Sequence, residues 1–397
     1  MRQLLTFILI LSGFGAVAQH DHVEDTTFKS KFTYECEDIP GTGQSHCTYF
    51  HKTGEVFKIG RMQDTLPVGN WVSYYRNGSL RDSLFYKIIE VNGVKTSVLD
   101  TFAFHFYGNG AIREYGLYRQ GRKHGPWLIY FTDGREKSRV NYDHGVEQGE
   151  WRVNYRDGKL REKGQFDNGM KTGEWFTYYK DGSVWGNGKY VLNYKQGQWT
   201  WNYRNGTLQT IGDYERGDRK GKWIHNYKNG QLEKTGSYEK GKETGFWQHY
   251  FENGELESEG YYKEGVKDSL WKERFQNEQT EEMSEFVQGF YEYGMKDSSW
   301  FTYFENGNPK EMWTFNKGIL NGIHKEFYSN GQLKTSHAFL GGILMQTYGC
   351  YTPKGEFFEC GTLKRGTGKV VILDDDGNII REDYYEDGVR KKLPQDH

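Results

Sequence analysis

The chain has almost no excess charge: 52 basic and 54 acidic side chains among 397 residues leave a formal net charge of −2. No field of one sign exists to hold nucleic acid or an anionic membrane as the main partner. Long apolar runs are also missing. The longest stretch, Leu4 to Leu11, follows Arg2 and precedes the small residues Ala16-Val17-Ala18. It is too short and too early for a membrane span and reads as a secretory signal over residues 1–18, cut near Ala18-Gln19. The mature chain is then expected to be exported, with no transmembrane segment. Cysteine is scarce, at four, and falls into two local pairs: Cys36 with Cys47 and Cys350 with Cys360. In an oxidising compartment these read as two hairpin-sized disulfides near the two ends. A metal set of Cys36, His46, Cys47 and His51 is the alternative, without the tight spacings of zinc knuckles.

Glycine and aromatics are abundant instead. Fifty-one glycines argue against long helices, since each interior glycine costs a helix about 1 kcal/mol. Mean hydropathy is −0.89, which alone would suit disorder, but aromatics at 17% supply the large packing groups that disordered segments lack. Their placement is periodic. Trp127, Trp151, Trp175, Trp199, Trp223, Trp247 and Trp271 recur at a constant step of 24, and Trp300 followed by His324 resumes the phase after a five-residue insertion. Gly221 to Leu232 (GKWIHNYKNGQL) shows the unit, followed by Gly236, Gly241 and Gly245.

Each unit reads as a β-hairpin. Trp223 and Tyr227 are four apart and share a strand face, which is assigned to the core. The Asn-Gly that follows is assigned the positive φ of a tight turn. Constant step predicts ladders of one residue type, Trp beside Trp and Tyr beside Tyr, and stability that comes from neighbouring units. The fold class is therefore all-β: an elongated antiparallel β-hairpin array with a 24-residue repeat. The expected organisation is a signal over 1–18, an N-terminal cap with a local disulfide over 19–49, and an array of about fourteen hairpins over 50–390. A short tail, 391–397, follows. Irregularities are expected at 84–100, where Ile88 to Val94 signals an additional hairpin, and at 276–292, which loses its turn glycine and is rich in acid.

The segment Tyr214-Glu215-Arg216-Gly217-Asp218-Arg219-Lys220-Gly221-Lys222-Trp223 resembles the MORN repeat, and in particular the bacterial MORN-variant repeat of YwqK-type proteins described as antitoxin components. The resemblance covers roughly residues 50 to 390. Classical units favour glycine where Trp223 stands, so this chain departs toward the variant. The resemblance implies a hairpin array used for protein association or membrane-proximal scaffolding, and it brings no catalytic residues.

Apparent catalytic motifs fall in the register of the repeat. Gly236 to Lys242 has phosphate-loop spacing, but Glu243 stands where Mg²⁺ binding needs Ser or Thr. Gly236 and Gly241 occupy the slots of Gly212 with Gly217 and of Gly260 with Gly265, and all are assigned to turns. Asp374-Asp375-Asp376-Gly377 lacks the alternation of a calcium loop. His225 and His249 read as ladder histidines able to stack side by side, and His20-Asp21-His22 as a polar terminus. No catalytic residue, cofactor or metal ligand is assigned.

Positions three after each Trp point away from the core ladder and vary: Tyr130, Asn154, Tyr178, Asn202, Asn226, Tyr250, Arg274 and Tyr303. Tyrosine and asparagine together suit a protein partner or the apolar faces and hydroxyls of a glycan. The function expected is an exported, non-enzymatic scaffold for an unidentified protein partner. The alternatives are a glycan or cell-wall binding module and an antitoxin-like inhibitor.

Overall fold

A computed structural model describes residues 32–274 and 286–391. The signal segment, His20-Asp21-His22, the greater part of the acid-rich insertion and the tail beyond Lys391 lie outside these residues. Every described regular element is a strand. Twenty-nine join in one antiparallel sheet and three near the C-terminus form a second. By packing, the chain divides into two units, residues 1–196 and 197–397.

In the second unit, Asp218–Asn226, Leu232–Glu239, Lys242–Tyr250 and Leu256–Lys263 show how the repeat folds. Two kinds of turn alternate. In the first, the Tyr227 N–H donates to the Gln231 carbonyl at 2.8 Å and the Gly230 N–H to the Tyr227 carbonyl at 2.9 Å. Only Gly230 takes positive φ, at 92°; Asn229 does not. The asparagine instead uses its side chain, accepting from the Gln231 N–H at 2.9 Å and donating to the Glu252 carbonyl of the next repeat at 3.0 Å. The second turn is Lys240-Gly241, with both residues at positive φ, 50° and 79°, the type I′ signature. The tight primed turn therefore lies one strand further along than Asn-Gly suggests.

Gly212, Gly236 and Gly260, expected at turns, lie inside strands. Each faces a tryptophan of the next strand. A Cβ on Gly212 would come within 2.2 Å of the Trp223 ring, and one on Gly236 within 2.0 Å of Trp247. The indole lies over a bare Cα, which only glycine offers. A register shift follows between Gly212 and Asp213, with Gly221 at φ 64° in the bulged strand. The Trp223 indole N–H takes up the Asp213 carbonyl beside that shift at 3.2 Å. Trp247 and Trp271 do the same to Ser237 and Tyr261. Gly245 occupies the equivalent in-strand position at φ 67°.

The core ladder is mixed rather than of one type. Successive tryptophans are two strands apart, and the strand between them carries tyrosine. Trp223, Tyr238, Trp247, Tyr262 and Trp271 meet edge to face, with centroids 5.7, 5.1, 6.0 and 5.0 Å apart, the geometry favoured by ring quadrupoles. In most repeats a cation four residues before the Trp closes the stack; before Trp247 that place holds Glu243, and Lys234 lies 5.8 Å from the ring instead. Arg219 lies 5.0 Å from the Trp223 ring, Lys267 4.1 Å from Trp271 and Lys296 4.0 Å from Trp300. Trp199, Trp223, Trp247, Trp271 and Trp300 are all buried.

The first unit repeats this pattern. Lys123 stands 3.8 Å over Trp127 and Lys171 4.0 Å over Trp175, and Gly116 and Gly164 lie beneath those rings. Trp71 fills the same slot over Gly60. One step of 24 before it stands Cys47, buried, directly opposite Cys36 with sulfurs at the disulfide distance of 2.02 Å. The insertion at 84–100 is an additional hairpin. Leu80–Val91 runs on past its usual length to pair with Val94–Leu99 across the primed turn Asn92-Gly93, while Asp82 and Ser83 keep the array's ladder by pairing with His105 and Phe104.

At the C-terminal end the hairpin array does not run unbroken to residue 390. Gly368–Leu373, Ile379–Glu386 and Val389–Lys391 form the separate three-stranded sheet. Val370 of this sheet packs with Leu344 and Leu363. Cys350 and Cys360, sulfurs 2.04 Å apart, pack with Val371 and Leu373.

Candidate binding surface

The positions three after each Trp lie at strand ends or, for Arg274, just past one, and the structure gives them less freedom than expected. Tyr130, Asn154, Tyr178, Asn202, Asn226, Tyr250, Arg274 and Tyr303 are all half-buried. Four of their carbonyls are engaged by the preceding repeat, where a tyrosine 23 residues earlier donates its hydroxyl. Tyr107 reaches the Tyr130 carbonyl at 2.7 Å, Tyr155 that of Tyr178 at 2.7 Å, Tyr203 that of Asn226 at 2.9 Å and Tyr227 that of Tyr250 at 2.7 Å. The asparagines are structural as well. Asn154 donates to the Glu136 carbonyl and Asn226 to the Leu208 carbonyl, at 3.2 and 3.1 Å. Tyr303 accepts from the Gln288 amide at 2.7 Å, and Arg274 lies 4.1 Å from the Phe286 ring. Tyr130 stacks on Tyr115 with centroids 6.0 Å apart, and burial, then the Tyr115 hydroxyl, pushes its own hydroxyl up to about 12. Tyr178 and Tyr250 alone in the set are without a hydroxyl partner among the described residues.

On the face away from the indoles, the first unit holds a cavity of about 610 Å³, bordered by Arg139, Arg152, Lys163, Gln165 and Phe176. Glu136 pins the two guanidinium groups: Arg152 reaches one of its carboxylate oxygens at 2.9 Å and Arg139 the other at 3.2 Å. The Arg139 Nε stays buried without a partner, and Lys163 lies 5.0 Å from the Phe176 ring. Fixed donors around an aromatic wall suit carboxylates, backbone carbonyls or sugar hydroxyls.

Histidines two after the Trp meet their own indoles rather than each other, His225 stacked on Trp223 at 6.0 Å and His249 tilted against Trp247 at 6.1 Å. Burial and then Lys234 push both down to about 4. Ser73, Asp82 and His105 also meet. Asp82 sits between the other two, accepting from Ser73 at 2.7 Å and bonded to His105 at 2.7 Å. Burial works to raise the Asp82 pKa, but hydrogen bonds from His105, Ser73 and Arg81 overcome it and hold the carboxyl far below its usual range. The imidazole is not bonded to the hydroxyl, so the nucleophile and base contact of a hydrolase is not formed. The segment Gly236 to Lys242 runs along one strand, round a primed turn and into the next, with Lys242 paired to Glu264 at 2.9 Å. Sequence reasoning passed over the strand glycine beneath most of the indoles and the Lys or Arg four residues before most of them, a pattern broken by Val140 and Glu147 at Trp151 and by Glu243 before Trp247.

Seven segments match the MORN repeat variant: residues 67–87, 147–168, 195–216, 219–240, 244–264, 296–317 and 320–337. The 219–240 match holds the bulge glycine Gly221, the indole of Trp223 and the Asn229-Gly230 turn together. No curated protein matches the chain. Among solved structures, the Tc holotoxin pore of Photorhabdus luminescens is 11% identical over 88% of this chain and 21% of that one, with a TM-score of 0.16. A porin-like protein from Bacteroides uniformis is 8% identical over 66% of this chain and 96% of that one, with a TM-score of 0.14. The chain thus spans about a fifth of the holotoxin chain, and scores this low carry no argument about fold or function. Among the described residues no helix is long and apolar enough to cross a membrane.

Proposed function

We propose that the protein is an exported, non-enzymatic repeat scaffold that binds a protein partner through the face opposite the tryptophans. The observation that carries this reading is the contrast between the faces. The indole face is filled and capped by its own cations, whereas the other holds the cavity with the buried, unpaired Arg139 Nε and the free hydroxyl of Tyr178. Matches to an interaction repeat support a scaffold, and two cysteine pairs at disulfide distance support export. Antitoxin-like inhibition, which the resemblance to YwqK-type proteins implies, would be one use of such a scaffold; no residue of the face selects it.

A glycan is the second reading, favoured by Phe176 standing beside Gln165 and Arg152 in the cavity. Affinity capture from the native cell envelope with mass spectrometry tests both, using wild type, Arg139→Ala and Tyr178→Ala. A protein captured by wild type and lost from both folded variants is expected. Equal capture by all three would sink the reading, and loss of binding to isolated cell-wall glycan instead would select the second.

A further inference from the structure

The repeat changes character at residue 324. Its Trp slot holds His324, and the slot of the capping cation four residues earlier holds Leu320. A glutamate two after the Trp occurs elsewhere too: Glu273, which is buried, is paired with Lys267, its repeat's capping cation, and accepts from the Tyr291 hydroxyl at 3.1 Å. Glu326 occupies the same slot relative to His324, and with Leu320 in place of the lysine it lacks that counter-charge. Moreover, Glu311 on the neighbouring strand lies directly opposite Glu326, an arrangement that repels when both are ionised. Lys334, the cation acting on Glu326, is engaged with Asp375 at 3.2 Å.

His324 completes the cluster. One of its ring nitrogens and one carboxylate oxygen from each of Glu311 and Glu326 lie within 4.8 Å of one another. The residue is 9% exposed, and its Nε2 is buried with no hydrogen-bond partner. Trp313 stacks on the ring at 5.6 Å and His337 at 6.0 Å, so its faces are covered and its nitrogen-bearing edge is what can meet a ligand. We propose that His324, Glu311 and Glu326 form a binding site for a divalent transition-metal ion. One imidazole nitrogen with two carboxylate oxygens is a mixed donor set suited to Zn²⁺, which accepts three protein ligands and keeps a fourth position open. Calcium and magnesium prefer oxygen alone. The site takes its rigidity from two adjacent strands and a stacked ring.

The test is zinc binding by the full mature chain. Dialysis against Zn²⁺ with metal quantified on the protein, and thermal melts with and without Zn²⁺, are run on wild type, His324→Gln, the double variant Glu311→Gln/Glu326→Gln, and His144→Gln. The last removes a ligand from a separate, exposed group of His124, Asp143 and His144. Wild type and His144→Gln are expected to melt higher with zinc. His324→Gln should hold one ion fewer than wild type and lose the zinc-dependent shift. The double variant should also lose the shift and hold one ion fewer than wild type, and this keeps the test decisive if His324→Gln fails to fold. Equal zinc content and equal shifts in wild type and the double variant, or no zinc response in folded wild type, would overturn the site.

Discussion

Trp223 and Trp151 hold equivalent positions in their repeats and have different fates. Trp223 is 1% exposed over Gly212 and donates its indole N–H to the Asp213 carbonyl. Trp151 faces Val140 where the other strands carry glycine. Val140 is itself buried, while Trp151 is only half-buried, makes no such hydrogen bond, and tilts toward Trp175 with centroids 5.2 Å apart. The strand glycine, rather than the tryptophan, decides whether an indole sinks into the sheet. One isopropyl group is enough to lift it out.

The largest effect that can break this comparison is removal of the ring. Trp223→Ala is expected to cost ~3–5 kcal/mol, as buried aromatic truncations do, and Trp151→Ala clearly less, read by denaturant unfolding of the two variants side by side. Equal losses would mean that the glycine has no such role. Gly212→Ala comes next. A methyl there collides with Trp223, so a loss of ~1–3 kcal/mol is expected from overpacking, although alanine for glycine in a strand would otherwise be mildly favourable. The reciprocal Val140→Gly should bury Trp151, seen as a blue shift in its fluorescence.

A pH effect of similar size concerns the repeat where the slot holds histidine. Burial, with His337 adding to it for His324, pushes His324 down to about 4, and burial alone does the same for His337. Unfolded histidine titrates near ~6.5. The fold therefore holds both rings neutral, its stability is full above that value, and acid removes up to about 1.4 kcal/mol per pH unit for each as pH falls toward 4. Melting in a chelating buffer between pH 7 and pH 5 should show this, with a flatter profile in His337→Gln; an unchanged profile would mean that the ring is not held neutral. The smallest effect is expected for Asn229→Asp. It keeps the turn's acceptor but loses the donor to Glu252, at about 1 kcal/mol, and should be visible as a small fall in melting temperature.

Much of this was legible. The step of 24 shows the hairpins, their phase and the buried Trp positions, because burial of a large ring demands one strand face. What the period could not show is where the ladder slips. A bulge beside a strand glycine leaves the spacing untouched while holding Gly221 within its strand at positive φ and giving the Asp213 carbonyl to an indole. Alternation of Trp with Tyr was hidden for a similar reason: residues 24 apart are neighbours in sequence phase but two strands apart in space. The face assigned to binding was read from parity, which tells direction and not burial, so the backbone bonds that hold Asn154 and Asn226 went unseen.

At the Asn-Gly turns the side-chain hydrogen bonds to the next repeat have a sense of travel. Tyr203 and Asn205 reach forward to Asn226 and Lys228, and Tyr328 and Asn330 to Tyr351 and Pro353. A repeat with this Tyr and Asn pair gives to its successor, so a last repeat bearing the same pair would hold out two donors to nothing. At the next step the chain carries Thr352 and Lys354 in those places. There the gift is no longer offered, and the Cys350 and Cys360 pair and the small sheet begin. The array ends as a sentence does, with a different word, and copying an internal repeat onto this end would leave it asking for a neighbour.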